Sequence, residues 1–428
     1  MKKIVLLIAA FMAVFPELAG AGIFNYPREV IAENLYGYGA RQMAMGGVGI
    51  MSMDGMALYY NPANLARIPR IELNLGLSYQ KFTDEGITSA FGLSSAPVFS
   101  AKDDKTNTRL NSAVLTVPYP TYRGSLVFGF GVARVADFDR LTTFDYQEDY
   151  EMALEVLESG GLYEWSAGLG IDLSPRISFG GSLSFYHGRH ESNSEYEVYS
   201  SGTVLRQEQE IIEDKYLGLG ARVGLAMQLS RYVGLGITVE SPVSFNVENN
   251  GSYSVNYADP GYYETVEYDI KRPFTFATGL ITRLNNTSLF LDLKYIDWTQ
   301  LSYGDNSAME QDNDLFNRFY RETLSFRLGG EYTFPEMGLS LRAGYFNVPL
   351  PYENDATYDP GRRDGFTFGL GFLVDQVLMI DVAYVSAGYT SDIILTPQGD
   401  IGDYFDNDIA FSEDASLRRI YITGAYRF

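Results

Sequence analysis

The chain has 428 residues, a net charge of −22 and no cysteine. That charge argues against nucleic acid, whose phosphates need basic patches, and the lack of cysteine excludes disulfides, thiolate metal sites and a lipid-attachment thiol. Tyr 33, Phe 27 and Gly 43 against Trp 2 suit strands with lipid on one face and water on the other, although a soluble sandwich shares that profile.

The first residues read as a secretory signal over residues 1–21. Lys2 and Lys3 give a positive start, Ile4 to Phe15 is uncharged and apolar, Pro16 and Glu17 end the run, and Ala19-Gly20-Ala21 offers a cleavage site before Gly22. The apolar run is too short to span a bilayer, which takes about 20 residues.

Residues 22–69 do not alternate. They carry clustered glycines, among them Gly37, Gly39, Gly46, Gly47 and Gly49, and an Asn61-Pro62-Ala63 motif. Clustered glycines permit compact turns and close backbone approach. The apolar Met43, Met45, Val48, Leu58, Tyr59 and Tyr60 favour a packed segment that fills a lumen over a flexible tail.

From Arg70 to Phe428 the dominant period is two. Ile71, Leu73, Leu75, Leu77 and Tyr79 alternate with Glu72, Asn74, Gly76, Ser78 and Gln80, which puts one face in an apolar medium and the other in a polar one. The same pattern recurs from Tyr163, Leu217 and Leu324, and more weakly near Asn111, Ser125, Arg176, Tyr232, Phe274, Ser288, Gly338, Phe366, Val377 and Leu417. About fourteen antiparallel strands are therefore predicted, an even number, as bacterial barrels require. Tight turns such as Ser174-Pro175-Arg176 and Asn285-Asn286 alternate with long polar segments such as Ala136 to Leu162 and Gly188 to Lys215. Short turns on one rim and long loops on the other fit an all-β transmembrane barrel of an outer membrane, with the turns in the periplasm. Asp149 to Glu158, with Met152, Ala153, Val156 and Leu157, has helical spacing and is predicted as a short loop helix.

Catalytic signals are weak. His187 and His190 form H-x-x-H, read as incidental because a metal needs further ligands, and without a nucleophile–base set no enzyme is expected. The acidic run Asp400 to Asp408 departs from the EF-hand spacing. No cofactor is called for. Asp292, Lys294, Arg327, Glu331 and Arg342 fall on lumen faces of neighbouring strands. Charges at membrane depth must be paired or wet, so they either brace the barrel or meet a ligand head group.

Gly39-Ala40-Arg41, Gly46-Gly47 and Tyr60-Asn61-Pro62-Ala63 resemble the start of the outer-membrane long-chain fatty acid and hydrocarbon transport family of FadL and TodX type. Asp297-Trp298-Thr299, Leu328-Gly329-Gly330-Glu331-Tyr332 and Pro349-Leu350-Pro351 ahead of Gly365 to Gly371 are similar too, and the terminal Phe428 resembles an outer-membrane assembly signal. The resemblance implies a hatch closed by Asn61, Pro62 and Ala63 inside a fourteen-stranded barrel, in the outer membrane of a Gram-negative bacterium. It also implies passive transport of a hydrophobic, fatty-acid-like molecule by a monomer surrounded by lipid. Ile23 and Phe24 would meet the ligand's tail, and Arg318 or Arg321, ahead of the strand near Thr323, its carboxylate. The acidic loops depart from the family's apolar collecting surface. The alternatives are a shuttle or docking component of type IX secretion, which shares the Gly-rich start and the Asn-Pro motif, and an open porin.

Overall fold

The computed structural model describes residues 37–90, 99–147, 151–200, 202–255, 262–304, 310, 313–351, 362–395 and 409–428. Eighteen strand segments form one sheet in sequence order. Four of the barrel strands are interrupted, so the segments make a closed fourteen-stranded antiparallel barrel. The strands are β1 (Glu72–Ala90), β2 (Phe99–Tyr119), β3 (Leu126–Asp137 and Arg140–Gln147), β4 (Glu151–Ser174), β5 (Ile177–Ser200), β6 (Thr203–Gln228) and β7 (Val233–Glu240 and Val243–Val255). The second half holds β8 (Tyr262–Arg272 and Thr275–Leu284), β9 (Thr287–Asp297 and Ser302–Tyr303), β10 (Glu322–Phe334), β11 (Leu339–Pro349), β12 (Arg362–Val374), β13 (Leu378–Leu395) and β14 (Ile409–Arg427). β1 closes the ring on β14, from Glu72 opposite Arg427 to Ala90 opposite Ile409.

The alternation read from the sequence is the wall itself. Leu183, Leu219, Phe366 and Phe368 stand exposed on the outside, while Ser78, Ser182, Ser184 and Thr367 are buried on the inside. Lipid meets the apolar row, and backbone groups are satisfied from strand to strand, as a closed barrel requires.

The strands run far beyond that apolar band. The polar segments expected as loops are largely tall hairpins, such as β5 and β6, paired from Ile177 opposite Met227 up to Ser200 opposite Thr203. The helix expected at Asp149 to Glu158 is not formed among its described residues. Residues 151–158 are strand, paired with Arg140–Gln147 of β3 on one side and Ser192–Tyr199 of β5 on the other. Pairing on both edges outweighs a weak local helical spacing.

The interruptions have local causes. Pro242 and Pro273 stand in the breaks of β7 and β8, where a missing N–H cannot join a ladder. Ser241 mends one edge: its N–H donates to the Ala221 carbonyl at 2.8 Å, and its hydroxyl accepts from the Ala221 N–H at 2.9 Å. β2 pairs with β3 only from Ser112 opposite Ala133 to Tyr119 opposite Leu126. Past that point side chains bridge the wall. Asn107 donates to Asp139 at 2.6 Å and Arg109 approaches Asp139 at 3.3 Å, while Arg134 pairs with Asp137.

Residues 37–69 lie against the inner wall. They form α1 (Ala40–Met43), α2 (Ala57–Tyr60) and a 3-10 turn at Pro62–Arg67. Almost every residue from Gly37 to Ile68 is buried. Two wall glycines show how tightly they fit. A Cβ on Gly224 of β6 would fall 2.0 Å from Asn61 Oδ1, and one on Gly344 of β11 would fall 2.1 Å from the Met45 carbonyl carbon. Only glycine lets the backbones approach this closely.

Candidate functional site

The Asn-Pro-Ala motif sits where the inner segment meets the wall. Asn61 Oδ1 accepts from the Ala63 N–H at 3.1 Å and starts the 3-10 turn, with Pro62 at its first position. Asn61 Nδ2 donates to the carbonyls of Ile50 and of Leu225 in β6, at 3.2 and 3.1 Å. Asn64 Nδ2 donates to the same Ile50 carbonyl at 2.8 Å. One amide therefore caps a turn, ties two parts of the inner segment together and joins them to the barrel.

Ion pairs complete the anchorage. Arg41 of α1 reaches Glu331 of β10 at 2.9 Å and Asp54 at 3.3 Å. Arg342 of β11 reaches Glu331 at 2.6 Å and Asp381 of β13 at 2.7 Å. The lumen residues Glu331 and Arg342 thus brace the structure. Asp292 of β9 accepts from the Gly49 and Ile50 N–H groups at 2.7 and 3.0 Å through Oδ2, and its Oδ1 is buried without a partner among the described residues.

Between the inner segment and the wall lies a cavity of about 60 Å³. That is room for a few water molecules and for no long chain, since one water needs roughly 10–15 Å³ on the same measure. Tyr38, Tyr59 and Tyr60 line it from the inner segment, and Glu164, Tyr186, Arg222, Glu240, Arg272, Asp292, Lys294 and Arg327 from the wall. Its carboxylates are engaged: Arg222 holds Glu164 at 3.2 Å and Glu240 at 3.3 Å, and Asp292 holds the Gly49 turn. Arg272 donates to Tyr186 Oη at 3.3 Å and lies over the rings of Tyr186 and Phe245. Lys294 and Arg327 are half-buried beside the same space, and neither makes an ion pair within 4.0 Å to a described residue. The register sets Asp292 opposite Arg327 and Lys294 opposite Ser325, so the two cations share one inner face on neighbouring strands.

Above the cavity the lumen is aromatic. One buried cluster runs from Val135 and Phe138 through Tyr186, Tyr216 and Phe245 to Tyr303, Phe316 and Tyr320. Tyr186 meets Phe245 at 5.5 Å and Tyr216 meets it at 6.4 Å, both edge-to-face, and Tyr303 meets Phe316 at 5.1 Å. Phe316 belongs to α3 (Asn313–Phe319), a short helix at the hairpin rim. The apolar ladder therefore runs from the rim to the cavity.

Arg318 lies exposed on α3. Arg321 Nε donates to the Leu350 carbonyl at 3.1 Å, and its N–H to the Pro351 carbonyl at 2.9 Å, which ties the approach to β10 to the end of β11. Neither arginine lines the cavity. Ile23 and Phe24, like the acidic run Asp400 to Asp408, lie outside the described residues. Alternation along a strand sends His187 outward and His190 inward, so the pair does not converge, and among the described residues no group of three ligands could hold a metal. His190 instead sits between Asp214 and Glu158, at 3.2 Å from each. The outward apolar row of β5 ends at Phe185 and gives way to Arg189, so His190 stands above the lipid band. Burial pushes its imidazole down, but the bonds to Asp214 and Glu158 and their charges outweigh that and raise it to about 9.

Sequence reasoning selected Asp292, Lys294 and Arg327 from their shared parity, and the structure brings them to one cavity. It missed Glu164, Arg222, Glu240 and Arg272. The available signal for Glu164, Arg222 and Glu240 was a charge in an inward row of mostly small residues; Arg272 follows Tyr268 and Ile270 and gave none.

The sequence matches the family described as outer membrane protein transport protein (OMPP1/FadL/TodX) over residues 31–393. The chain belongs to this family. Its FadL/TodX-type barrel is accordingly an outer-membrane protein of Gram-negative bacteria, and in such barrels the short turns face the periplasm. Among solved structures, a Pseudomonas aeruginosa FadL homologue is 14% identical, with a TM-score of 0.66 over 91% of this chain and 98% of that one. The P. putida toluene transporter TodX is 16% identical, with a TM-score of 0.60 over 92% and 99%. The Ralstonia pickettii toluene transporter TbuX is 14% identical, with a TM-score of 0.58 over 92% and 99%. Identities this low establish the shared fold. No curated protein matches the sequence.

Proposed function

We propose that this barrel carries hydrophobic small molecules passively across the outer membrane, and that its ligand bears an anionic head group such as a carboxylate. Two of the similar barrels are toluene transporters, which supports an apolar cargo. The observation that carries the finer reading is the pair Lys294 and Arg327, two cations beside an internal cavity where Arg222 holds Glu164 and Glu240 and one oxygen of Asp292 holds the Gly49 turn. A carboxylate there would gain charge-assisted bonds that the protein itself does not supply, and the aromatic ladder above would take up the apolar tail at roughly 25 cal/mol per Å² buried.

Residues 22–69 act in this reading as a hatch. Gly37 lines the cavity, and Ile23 and Phe24, which precede it in the chain, are assigned to the ligand's tail. Arg318 and Arg321 are assigned to first capture at the outer mouth. The cavity is too small for the cargo while the hatch is packed, so admission requires the Gly49–Ile50 turn to leave Asp292. The close fit of Asn61 and Met45 against wall glycines argues against an open porin.

The test is binding of a fluorescent fatty acid and of its methyl ester to purified protein. Lys294→Gln and Arg327→Gln should each weaken the acid about tenfold, a charged hydrogen bond being worth roughly 1.5–3 kcal/mol, and leave the ester nearly unchanged. Equal loss for both ligands would assign the two residues to structure. No loss for either would remove the head-group site.

A further inference from the structure

The rim formed by the short turns carries a one-sided run of cations that transport does not explain. The protein is acidic overall, at −22, yet its periplasmic rim holds an arc of arginines. Arg70 leads into β1, Arg123 lies between β2 and β3, Arg176 between β4 and β5, and Arg231 between β6 and β7. All four are exposed, and none makes an ion pair with a described residue. The carboxylates closest in sequence are taken by other arginines: Arg427 holds Glu72 at 2.7 Å and Arg67 approaches Asp172 at 3.8 Å. Wall order follows sequence order, so the four occupy one continuous arc beneath β1 to β7. The remaining turns carry Asn285, Asn286, Glu336 and Asp375 and hold no arginine or lysine. The arc itself uses arginine throughout, with no lysine.

The arc borders lipid. Tyr119, Leu173, Ile177, Leu229 and Tyr232 stand exposed just above it on the outer surface, and Tyr122 projects fully beside Arg123. The Arg231 guanidinium lies 4.5 Å over the Tyr232 ring. Tyrosines at this depth mark the membrane–water boundary, so the guanidinium groups stand at the level of the phospholipid phosphates. A guanidinium offers a planar fork that matches phosphate oxygens, which an ammonium does not.

We propose that the arc is a binding surface for anionic phospholipid of the periplasmic leaflet, of the phosphatidylglycerol class, and that it fixes the depth and tilt of the barrel. The continuity of the arginines with the lipid-facing row favours lipid over an acidic polypeptide, which would need basic groups turned toward the centre of the rim.

The mature protein, reconstituted in phosphatidylcholine vesicles, would be titrated with spin-labelled phosphatidylglycerol and phosphatidylcholine. The wild type should prefer phosphatidylglycerol about threefold or more, as expected for several basic groups beside an anionic surface. R70Q/R123Q/R176Q/R231Q should bring the ratio to about one, as should about 1 M salt, where screening acts within roughly 3 Å. E336Q/D375N, on the opposite arc, should keep the wild-type preference. Assembly is checked by heat-modifiable gel mobility. Should the quadruple variant not assemble, R70Q/R231Q and R123Q/R176Q decide the matter, each with an intermediate ratio. A wild type without lipid preference, or variants that retain it, would overturn the proposal. So would binding of polyglutamate by a protein indifferent to lipid charge, which would reassign the arc to an acidic partner.

Discussion

The lower and upper halves of the lumen are filled by different physics. Below the cavity, residues 37–69 are held by directional contacts: Asn61 to two carbonyls, Asp292 to two N–H groups, and Arg41 and Arg342 sharing Glu331. Wall glycines there leave no room for displacement. Above it, aromatic rings pack edge to face with few polar anchors. The lower half specifies one arrangement, since each buried polar group has few acceptable partners. The upper half tolerates repacking, since apolar contacts of similar volume substitute for one another. A tightly held inner segment below and an adaptable apolar path above suit a carrier of apolar molecules.

The contrast can be broken by substitution. The largest effect should come from Arg222→Gln, which leaves Glu164 buried and Glu240 half-buried without the cation they share. Loss of one partner from a buried pair costs about 3–5 kcal/mol, read as a lower denaturation midpoint in detergent. Next is pH. His190 is raised from 6.5 to about 9 in the folded protein, so its stabilisation is complete below about 6.5 and is lost as pH rises through about 9. The shift corresponds to at most about 3 kcal/mol. Between pH 6 and 10 the midpoint should fall in the wild type, and His190→Gln should remove that part of the slope. If both profiles coincide, the Asp214–His190–Glu158 bridge contributes nothing. Gly224→Val should cost about 1–3 kcal/mol, as overpacking does, and should raise single-channel conductance by pushing Asn61 off the wall. The smallest effect is expected above the cavity, where Phe245→Leu should cost under about 1.5 kcal/mol and change ligand binding more than stability. If Phe245→Leu proves as costly as Gly224→Val, the two halves do not differ as described.

Much of the barrel was legible because lipid enforces strict alternation. All the strand starts read from the sequence, from Ile71 to Leu417, fall within barrel strands or one or two residues ahead of them. The legible part ends where lipid ends. Above Phe185 both faces of β5 are wet, so Glu191 to Ser200 carry no apolar row and read as a loop although they pair along their whole length. The same loss of signal let Met152, Ala153, Val156 and Leu157 pass for a helix. At the site, parity alone exposed Asp292, Lys294 and Arg327. The partners of Arg222 could not be found that way, because Glu240 faces it across the β6–β7 hairpin and Glu164 lies two strands away on β4, so the contacts depend on strand register, which parity does not give. Arg321 was selected by its place before β10; its further bonds, from Nε to the Leu350 carbonyl and from its N–H to the Pro351 carbonyl, left no trace in the sequence.

Whether ligand reaches the cavity beneath the aromatic ladder is tested directly by photolabelling. A fatty acid with a diazirine near its carboxylate would be irradiated with the purified protein, and the labelled peptides identified by mass spectrometry. Labelling should concentrate in residues 37–60 and in the β9 and β10 segments that carry Lys294 and Arg327, and unlabelled fatty acid should compete it away. Labelling confined to the outer, lipid-facing rows, or unaffected by competitor, would contradict the account.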